Sequence, residues 1–130
     1  MGTSKTVQLW LDRVAYDMET AKAMLQTGRF IYAVFMCQQA VEKCLKALLA
    51  HQDREIVPIH NLRRLSELAE IIYDFDETTL RKMDFLSSYY INARYKESLE
   101  ELSKGISEVV VRDFIEFAEG LIAWLCQKMK

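Results

Sequence analysis

The sequence predicts an all-α protein, an up-and-down helical bundle of four to five helices. Helix-forming residues dominate the 130-residue chain, which contains one proline and four glycines. Apolar residues recur at steps of three and four, which is typical of helix faces that pack on a core, and no alternating strand pattern persists. Hydrophobic residues make up 51% of the chain and charged residues 28%. This composition indicates one folded domain over residues 1–130.

The first two helices have the clearest patterns. The first is predicted over residues 5–26 and ends before Gly28, because glycine readily adopts the left-handed conformation that terminates helices. The second is predicted over residues 30–51, and the short link between them makes the two helices antiparallel neighbours. Their predicted buried faces are Val7, Trp10, Leu11, Val14, Met18, Ala21 and Leu25, and then Phe30, Val34, Cys37, Val41, Cys44, Leu45 and Leu48.

Three further helices are predicted over residues 60–73, 77–92 and 106–128. His60 is a candidate cap of the third helix and Asp76 of the fourth. Residues 94–105 are predicted as a loop with one helical turn near Ser98, because Gly105 follows soon after. The predicted buried residues are Leu62, Leu65, Leu68, Ala69 and Ile72, then Leu80, Met83, Leu86 and Tyr90, and finally Val110, Phe114, Phe117, Leu121, Trp124 and Leu125.

Charge and cysteine usage exclude several function classes. A net charge of −2 gives no general attraction to nucleic acid, so any anion site has to be local. Cys37 and Cys44 lie about 10 Å apart along one helix, too far for a disulfide, and with Cys126 they are expected to be buried and reduced. Zinc-ligand spacing is missing, and the longest apolar run, residues 31–37, cannot span a bilayer. We expect a cytoplasmic protein that contacts no membrane and needs no metal or cofactor.

A line of polar residues on the second helix is the first candidate site. Gln38, Glu42 and Lys46 follow one another at steps of four, and Gln39 lies beside them. One interpretation is a solvated helix face with a single Glu–Lys pair. The other is the wall of a ligand groove, in which Lys46 contacts an anion and the amides orient it.

Aromatic and cationic residues meet where the fourth helix is predicted to end. Tyr89, Tyr90, Arg94 and Tyr95 could stack on a base and pair with a phosphate. Alternatively, Tyr90 belongs to the core, Tyr89 is half-exposed and Arg94 binds the last helix carbonyls. His60 is either a helix cap or a general acid/base or phosphate contact.

Three blocks of the sequence stand out, namely Gln38-Gln39-Ala40-Val41-Glu42-Lys43, His60-Asn61-Leu62, and Tyr89-Tyr90-Ile91 followed by Arg94-Tyr95. Together they resemble the prokaryotic HEPN domain ("higher eukaryotes and prokaryotes nucleotide-binding"). The resemblance implies a helical bundle that usually forms a homodimer and binds nucleotides or RNA. It also implies a separately encoded nucleotidyltransferase as partner, in a toxin–antitoxin or defence-type pair.

Ribonucleases that the family contains carry an arginine followed four to six residues later by a histidine. No histidine follows Arg94 in this sequence. The resemblance therefore favours a nucleotide-binding or accessory role without catalysis. Two alternatives stay open: a metal-independent ribonuclease that uses Arg94 and His60, or a structural dimerisation module whose polar cluster fixes the helix register.

Overall fold

The computed structural model describes residues 4–95 and 105–130, and this part of the chain is helical without any strand. The prediction of an all-α bundle is therefore confirmed. Within these two ranges, five α-helices and one 3₁₀ turn follow in order: α1 Ser4–Gln26, α2 Phe30–His51, α3 Leu62–Leu68, the 3₁₀ turn Ile72–Asp74, α4 Glu77–Tyr95 and α5 Glu108–Gln127.

Helix α2 lies at the centre of the bundle and packs against α1, α3, α4 and α5. It is buried on nearly all sides, whereas the sequence predicts burial of only one apolar face. Small residues make this possible, since Ala33, Ala40 and Ala47 are completely buried and let neighbouring helices approach closely. Polar residues on α2 are consequently buried as well.

The end of α1 confirms the prediction at Gly28, whose φ of 75° is left-handed. The amide of Arg29 donates to the carbonyl of Met24 at 2.8 Å, and that of Gly28 to the carbonyl of Leu25 at 3.1 Å. These two bonds satisfy carbonyls that the last helical turn leaves without a partner. The chain then enters α2 after a link of only three residues.

Helix α3 differs from its prediction at both ends. Its cap is Asn61, whose Oδ1 accepts a bond from the amide of Arg64 at 2.9 Å, so the assignment of the cap to His60 is wrong. The helix stops at Leu68 because Glu70 adopts a left-handed φ of 59°. This turn buries Ile71, and the predicted Ile72 is only half-buried.

The last two helices follow their predictions more closely. Asp76 caps α4, accepting a bond from the amide of Thr79 at 2.8 Å. The helix continues through Tyr95, so the backbone at Arg94 is helical and not a loop. The predicted turn near Ser98 lies outside the described residues. The buried face of α5 is rotated by about one residue from the predicted one and consists of Val111, Ile115, Ala118, Leu121 and Leu125.

All three cysteines are free thiols, as predicted. Cys37 and Cys44 are completely buried, and burial raises the pKa of Cys37 to about 12. Cys126 is only half-buried, which the sequence did not predict. Across the described residues, none of the helices combines the length and apolar character that a membrane crossing requires.

Two glycines should respond to alanine in opposite directions. Gly28 has a left-handed φ of 75°, so Gly28→Ala should lower the free energy of unfolding by about 1 kcal/mol. Gly120 lies inside α5 with open space where a Cβ would lie, so Gly120→Ala should raise it by about 0.5–1 kcal/mol. Urea unfolding followed by circular dichroism measures both, and equal shifts in one direction would contradict these backbone assignments.

Candidate functional site

The carboxylate of Glu42, in the middle of α2, is only 5% exposed and has three hydrogen-bond partners. Gln38 Nε2 donates to Oε1 at 2.9 Å, and Lys46 Nζ donates to Oε2 at 2.9 Å. His60 Nδ1 lies 3.0 Å from the same Oε2. The polar line is therefore a buried network, and the interpretation as a solvated face is wrong. The residues that precede α3 cover it, which the spacing on α2 does not reveal.

The side-chain amides of Gln38 and Gln39 hold the segment before α3 in place over Glu42. Gln39 Nε2 donates to Gln38 Oε1 at 2.7 Å, which leaves the Gln38 Nε2 group to donate elsewhere. That group bonds both Glu42 and the main-chain carbonyl of His60, the latter at 3.1 Å. Since His60 is also bonded through its ring, two separate contacts anchor it to α2.

The ring of His60 is held by a carboxylate on its edge and an aromatic ring on its face. It stacks on Tyr90 of α4, with the ring centroids 4.1 Å apart and the planes 16° apart. In the neutral ring, donation from Nδ1 to Glu42 leaves Nε2 as the basic nitrogen. The side chain is 42% exposed, so solvent and ligands can reach it. This arrangement orients a histidine for hydrogen bonding or proton transfer.

A groove of about 440 Å³ opens beside this histidine. Its size lies within the range usual for small-molecule sites. It combines apolar surface, an aromatic face and one guanidinium, that of Arg64, which is 59% exposed and 3.2 Å from Glu67. The lining residues are Pro58, Ile59, His60, Asn61, Arg64, Ser87 and Tyr90.

At this groove, Ser87 of α4 is hydrogen-bonded to the start of α3. Its Oγ accepts a bond from the amide of Leu62 at 3.0 Å, which satisfies one of the first amides of α3. This bond fixes the start of α3 against α4. The groove is therefore built on elements that are tied to each other and, through His60, to α2.

The structure brings some of the predicted site residues together and leaves others apart. Glu42, Gln38, Gln39, Lys46, His60 and Tyr90 form one connected cluster. Lys46 is 7% exposed and bonded to Glu42, and it does not line the groove. The side chains of Arg94 and Tyr95 lie outside the described part of the structure.

Tyr89 and Tyr90 differ from the positions predicted for them in the interpretation without a ligand, which placed Tyr90 in the core and left Tyr89 half-exposed. Tyr89 is 8% exposed and packs on Phe85, with ring centroids 5.0 Å apart, and burial raises the pKa of its hydroxyl. Tyr90 is half-buried and lines the groove. The assignment of Tyr90 to the core and of Tyr89 to a half-exposed position is therefore wrong.

Several site features were missed. Asn61 and Ser87 line the groove, and no spacing rule connects the start of α3 with Ser87 on α4. Asp17 of α1 is 6% exposed and pairs with Lys43 at 2.6 Å. The position of this aspartate in the apolar face of α1 is a signal that could have indicated a buried ion pair.

Within residues 4–95 and 105–130, no group of three or more histidine, cysteine, aspartate or glutamate side chains has an arrangement that could hold a metal ion. The candidate site is therefore defined by hydrogen bonds, one aromatic stack and one guanidinium.

The described part of the chain is a helical bundle with a buried polar network on its central helix and a groove beside His60. The model of the HEPN domain matches residues 7–129, nearly the whole chain. The protein belongs to the HEPN domain family.

The chain is also similar to one further protein and shares its fold with two solved structures. A protein of Methanocaldococcus jannaschii named "Putative toxin MJ1304" is 28% identical over 95% of this chain and 91% of its own length. The crystal structure of ST0689, an archaeal HEPN homologue, has a TM-score of 0.75 at 24% identity and covers 95% of this chain and 98% of that one. The crystal structure of TT1696 from Thermus thermophilus has a TM-score of 0.75 at 20% identity, over 94% and 97% of the two chains.

Removing one partner of the buried Glu42–Lys46 pair should strongly destabilise the fold. Lys46→Met leaves the Glu42 carboxylate buried without its lysine, and we expect a loss of about 3–5 kcal/mol in the free energy of unfolding. The double variant Glu42→Leu/Lys46→Met should lose less than Lys46→Met alone, since no uncompensated charge remains.

The matched control is Arg81→Met. Arg81 also pairs with a glutamate at four-residue spacing, Glu77 at 3.6 Å, but both side chains are mostly exposed. We therefore expect little change in urea unfolding. Equal effects of Lys46→Met and Arg81→Met would show that the Glu42 network does not stabilise the bundle.

Proposed function

We propose that this chain is the nucleotide- or RNA-binding component of a toxin–antitoxin or defence-type pair. The ligand occupies the groove beside His60. The observation that carries this proposal is the geometry of the groove, in which the stacked rings of His60 and Tyr90 lie beside the guanidinium of Arg64. Nucleotides present a flat base and an anionic phosphate, and both find complementary surfaces here.

The base and the phosphate have different partners in this proposal. The apolar surface of Pro58 and Ile59, together with the edge of the stacked rings of His60 and Tyr90, is offered to the base. The phosphate pairs with Arg64, which provides a local positive charge on a chain of net charge −2. The basic Nε2 of His60 accepts a hydrogen bond from a base or a sugar hydroxyl.

Arg94 extends the proposed site. It follows Tyr90 by four residues within α4, so the two backbone positions lie on the same helix face about 6 Å apart along the axis. Lys46 acts indirectly in this proposal. It neutralises Glu42, which holds His60, and does not contact the ligand.

The partner is proposed from the comparisons and the resemblance rather than from the groove. The name of the Methanocaldococcus relative supports a toxin-type role. The resemblance of the sequence blocks supports a separately encoded nucleotidyltransferase as partner and a homodimer as the assembled form. Co-purification of the tagged chain with the product of a neighbouring gene tests the first of these, and size-exclusion chromatography with light scattering tests the second.

Nucleotide binding should be visible as a thermal shift. A ligand present at 100 times its dissociation constant stabilises the folded protein by about 2.7 kcal/mol, and we expect such a shift with ATP, AMP or a short single-stranded RNA. Arg64→Ala should weaken binding roughly tenfold, because a charge-assisted bond to phosphate is lost.

Arg81→Ala is the matched control for this measurement. Arg81 is an exposed helix arginine paired with a glutamate, as Arg64 is, but it does not line the groove. It should bind like the unmodified chain. Equal affinities of the Arg64 and Arg81 variants would contradict ligand binding in the groove. The absence of a thermal shift with all three ligands would favour a structural module.

A ribonuclease is the second candidate, because Glu42 orients His60 as carboxylates orient catalytic histidines. This candidate predicts RNA cleavage in the presence of EDTA. His60→Ala should slow cleavage by about 10²–10⁴-fold, whereas His51→Ala, which changes the only other histidine, should leave it unchanged. If the unmodified chain does not cleave RNA at high protein concentration, the ribonuclease candidate fails and the binding proposal stands unaffected.

A further inference from the structure

A second cavity, which the candidate site does not use, lies between the 3₁₀ turn, the start of α4 and the middle of α5. Its volume of about 380 Å³ is within the range usual for small-molecule sites. Three aromatic residues line it, Phe75, Phe117 and Trp124, together with the acidic residues Asp74 and Glu116. We call it the aromatic cavity, and it shares no lining residue with the groove of the candidate site.

A glycine on α5 leaves this cavity open. Glu116, Gly120 and Trp124 follow one another at steps of four, so they lie on one face of the helix. A Cβ at Gly120 would meet no atom of a neighbouring element within 4 Å. The rings of Phe75 and Trp124 lie with their centroids 5.2 Å apart and their planes tilted by 54°, so they present faces in two directions.

The chain's own ammonium groups show which charge these rings attract. Lys128 Nζ lies 4.5 Å from the ring centroid of Trp124 and 3.5 Å from Oδ2 of Asp74. Lys82 Nζ lies 5.3 Å from the ring centroid of Phe117. An aromatic face is electrically negative and attracts a cation within about 6 Å of its centroid. Two of the three rings therefore already have an ammonium group beside them.

One negative charge at the cavity is left without a partner. Asp74 is paired with Lys128, whereas the carboxylate of Glu116 has no hydrogen-bond or ion-pair partner within residues 4–95 and 105–130. An anionic ligand would be repelled by both carboxylates and by the ring faces. A neutral ligand would gain nothing from the free charge of Glu116. The cavity is therefore complementary to a cation.

We propose that the aromatic cavity binds a small quaternary alkylammonium ion, with its methyl groups on the rings and its charge beside Glu116. Rings supply no conventional hydrogen-bond acceptor, so an ion without N–H groups loses less than a primary ammonium when it leaves water. Lys128 competes with this ligand, because it occupies Asp74 and a face of Trp124. The proposal does not depend on the proposed function.

Tryptophan fluorescence tests the proposal on the full chain. The chain has two tryptophans, so Trp10→Phe leaves Trp124 as the reporter. Choline is compared with its neutral carbon analogue, in which a tert-butyl group replaces the trimethylammonium group, at constant ionic strength held with sodium chloride. We expect a saturable change with choline at a concentration about tenfold lower than with the analogue. No saturable change with choline, or equal responses to the two compounds, would overturn the proposal.

Two variants of α5 place the ligand in the cavity. Gly120→Leu fills open space and should weaken choline binding roughly tenfold, while circular dichroism shows an intact helical fold, because leucine is a better helix former than glycine. Glu116→Gln should weaken choline binding about threefold and leave the neutral analogue unaffected. Glu116 is exposed, so this variant tests the proposal even if Gly120→Leu fails to fold. Unchanged choline affinity in Glu116→Gln would contradict the assigned charge contact.

Removal of the competing lysine should act in the opposite direction. Lys128→Met frees Asp74 and a face of Trp124, and we expect choline to bind about threefold more tightly. Lys130→Met is the matched control, since it makes the same change in net charge two residues further on and does not line the cavity. It should bind choline like the parent chain. Equal affinities of the Lys128 and Lys130 variants would contradict the competition.

Discussion

The hydrogen bonding of one buried carboxylate constrains much of this structure. Glu42 lies on the central helix, where a charge without partners would be strongly destabilising. Lys46 supplies the opposite charge from the same helix, and Gln38 supplies a neutral donor. The third partner, His60, comes from a segment that follows α2 after a loop, so that segment has to pass directly over α2. The start of α3, the orientation of the histidine ring and the groove beside it all follow from this one requirement.

The central helix is also fixed on a second side. Lys43, next to Glu42 in sequence, points toward α1 and pairs there with the buried Asp17. Neighbouring residues on a helix point about 100° apart, so two adjacent charged residues reach different helices. The pair to α1 and the bond to His60 therefore set the rotation of α2 from two directions. Apolar contacts alone would allow α2 to rotate more easily, because its surface is apolar on nearly every side.

The sequence predicted those parts of the fold that depend on local chemistry. Gly28 marked the end of α1, and Asp76 marked the start of α4, because a left-handed glycine and a capping aspartate act within a few residues. The end of α3 was not predictable in this way, since Glu70 adopts the left-handed conformation without a glycine to indicate it. The spacing of Gln38, Glu42 and Lys46 showed that they share one helix face, but spacing does not tell whether a face is covered. The position of the His60 ring depends on a contact with α2, and a local capping rule could not reveal it.

The most direct test of this structure is the protonation of the His60 ring, measured by ¹⁵N nuclear magnetic resonance at a pH where both histidines are neutral. Donation from Nδ1 to Glu42 predicts that Nδ1 carries the proton and that Nε2 is bare, with a long-range correlation pattern distinct from that of His51. In Glu42→Leu, this difference between the two histidines should disappear. A proton on Nε2 of His60 in the unmodified chain would contradict the bond to Glu42, and with it the explanation of how the groove is formed.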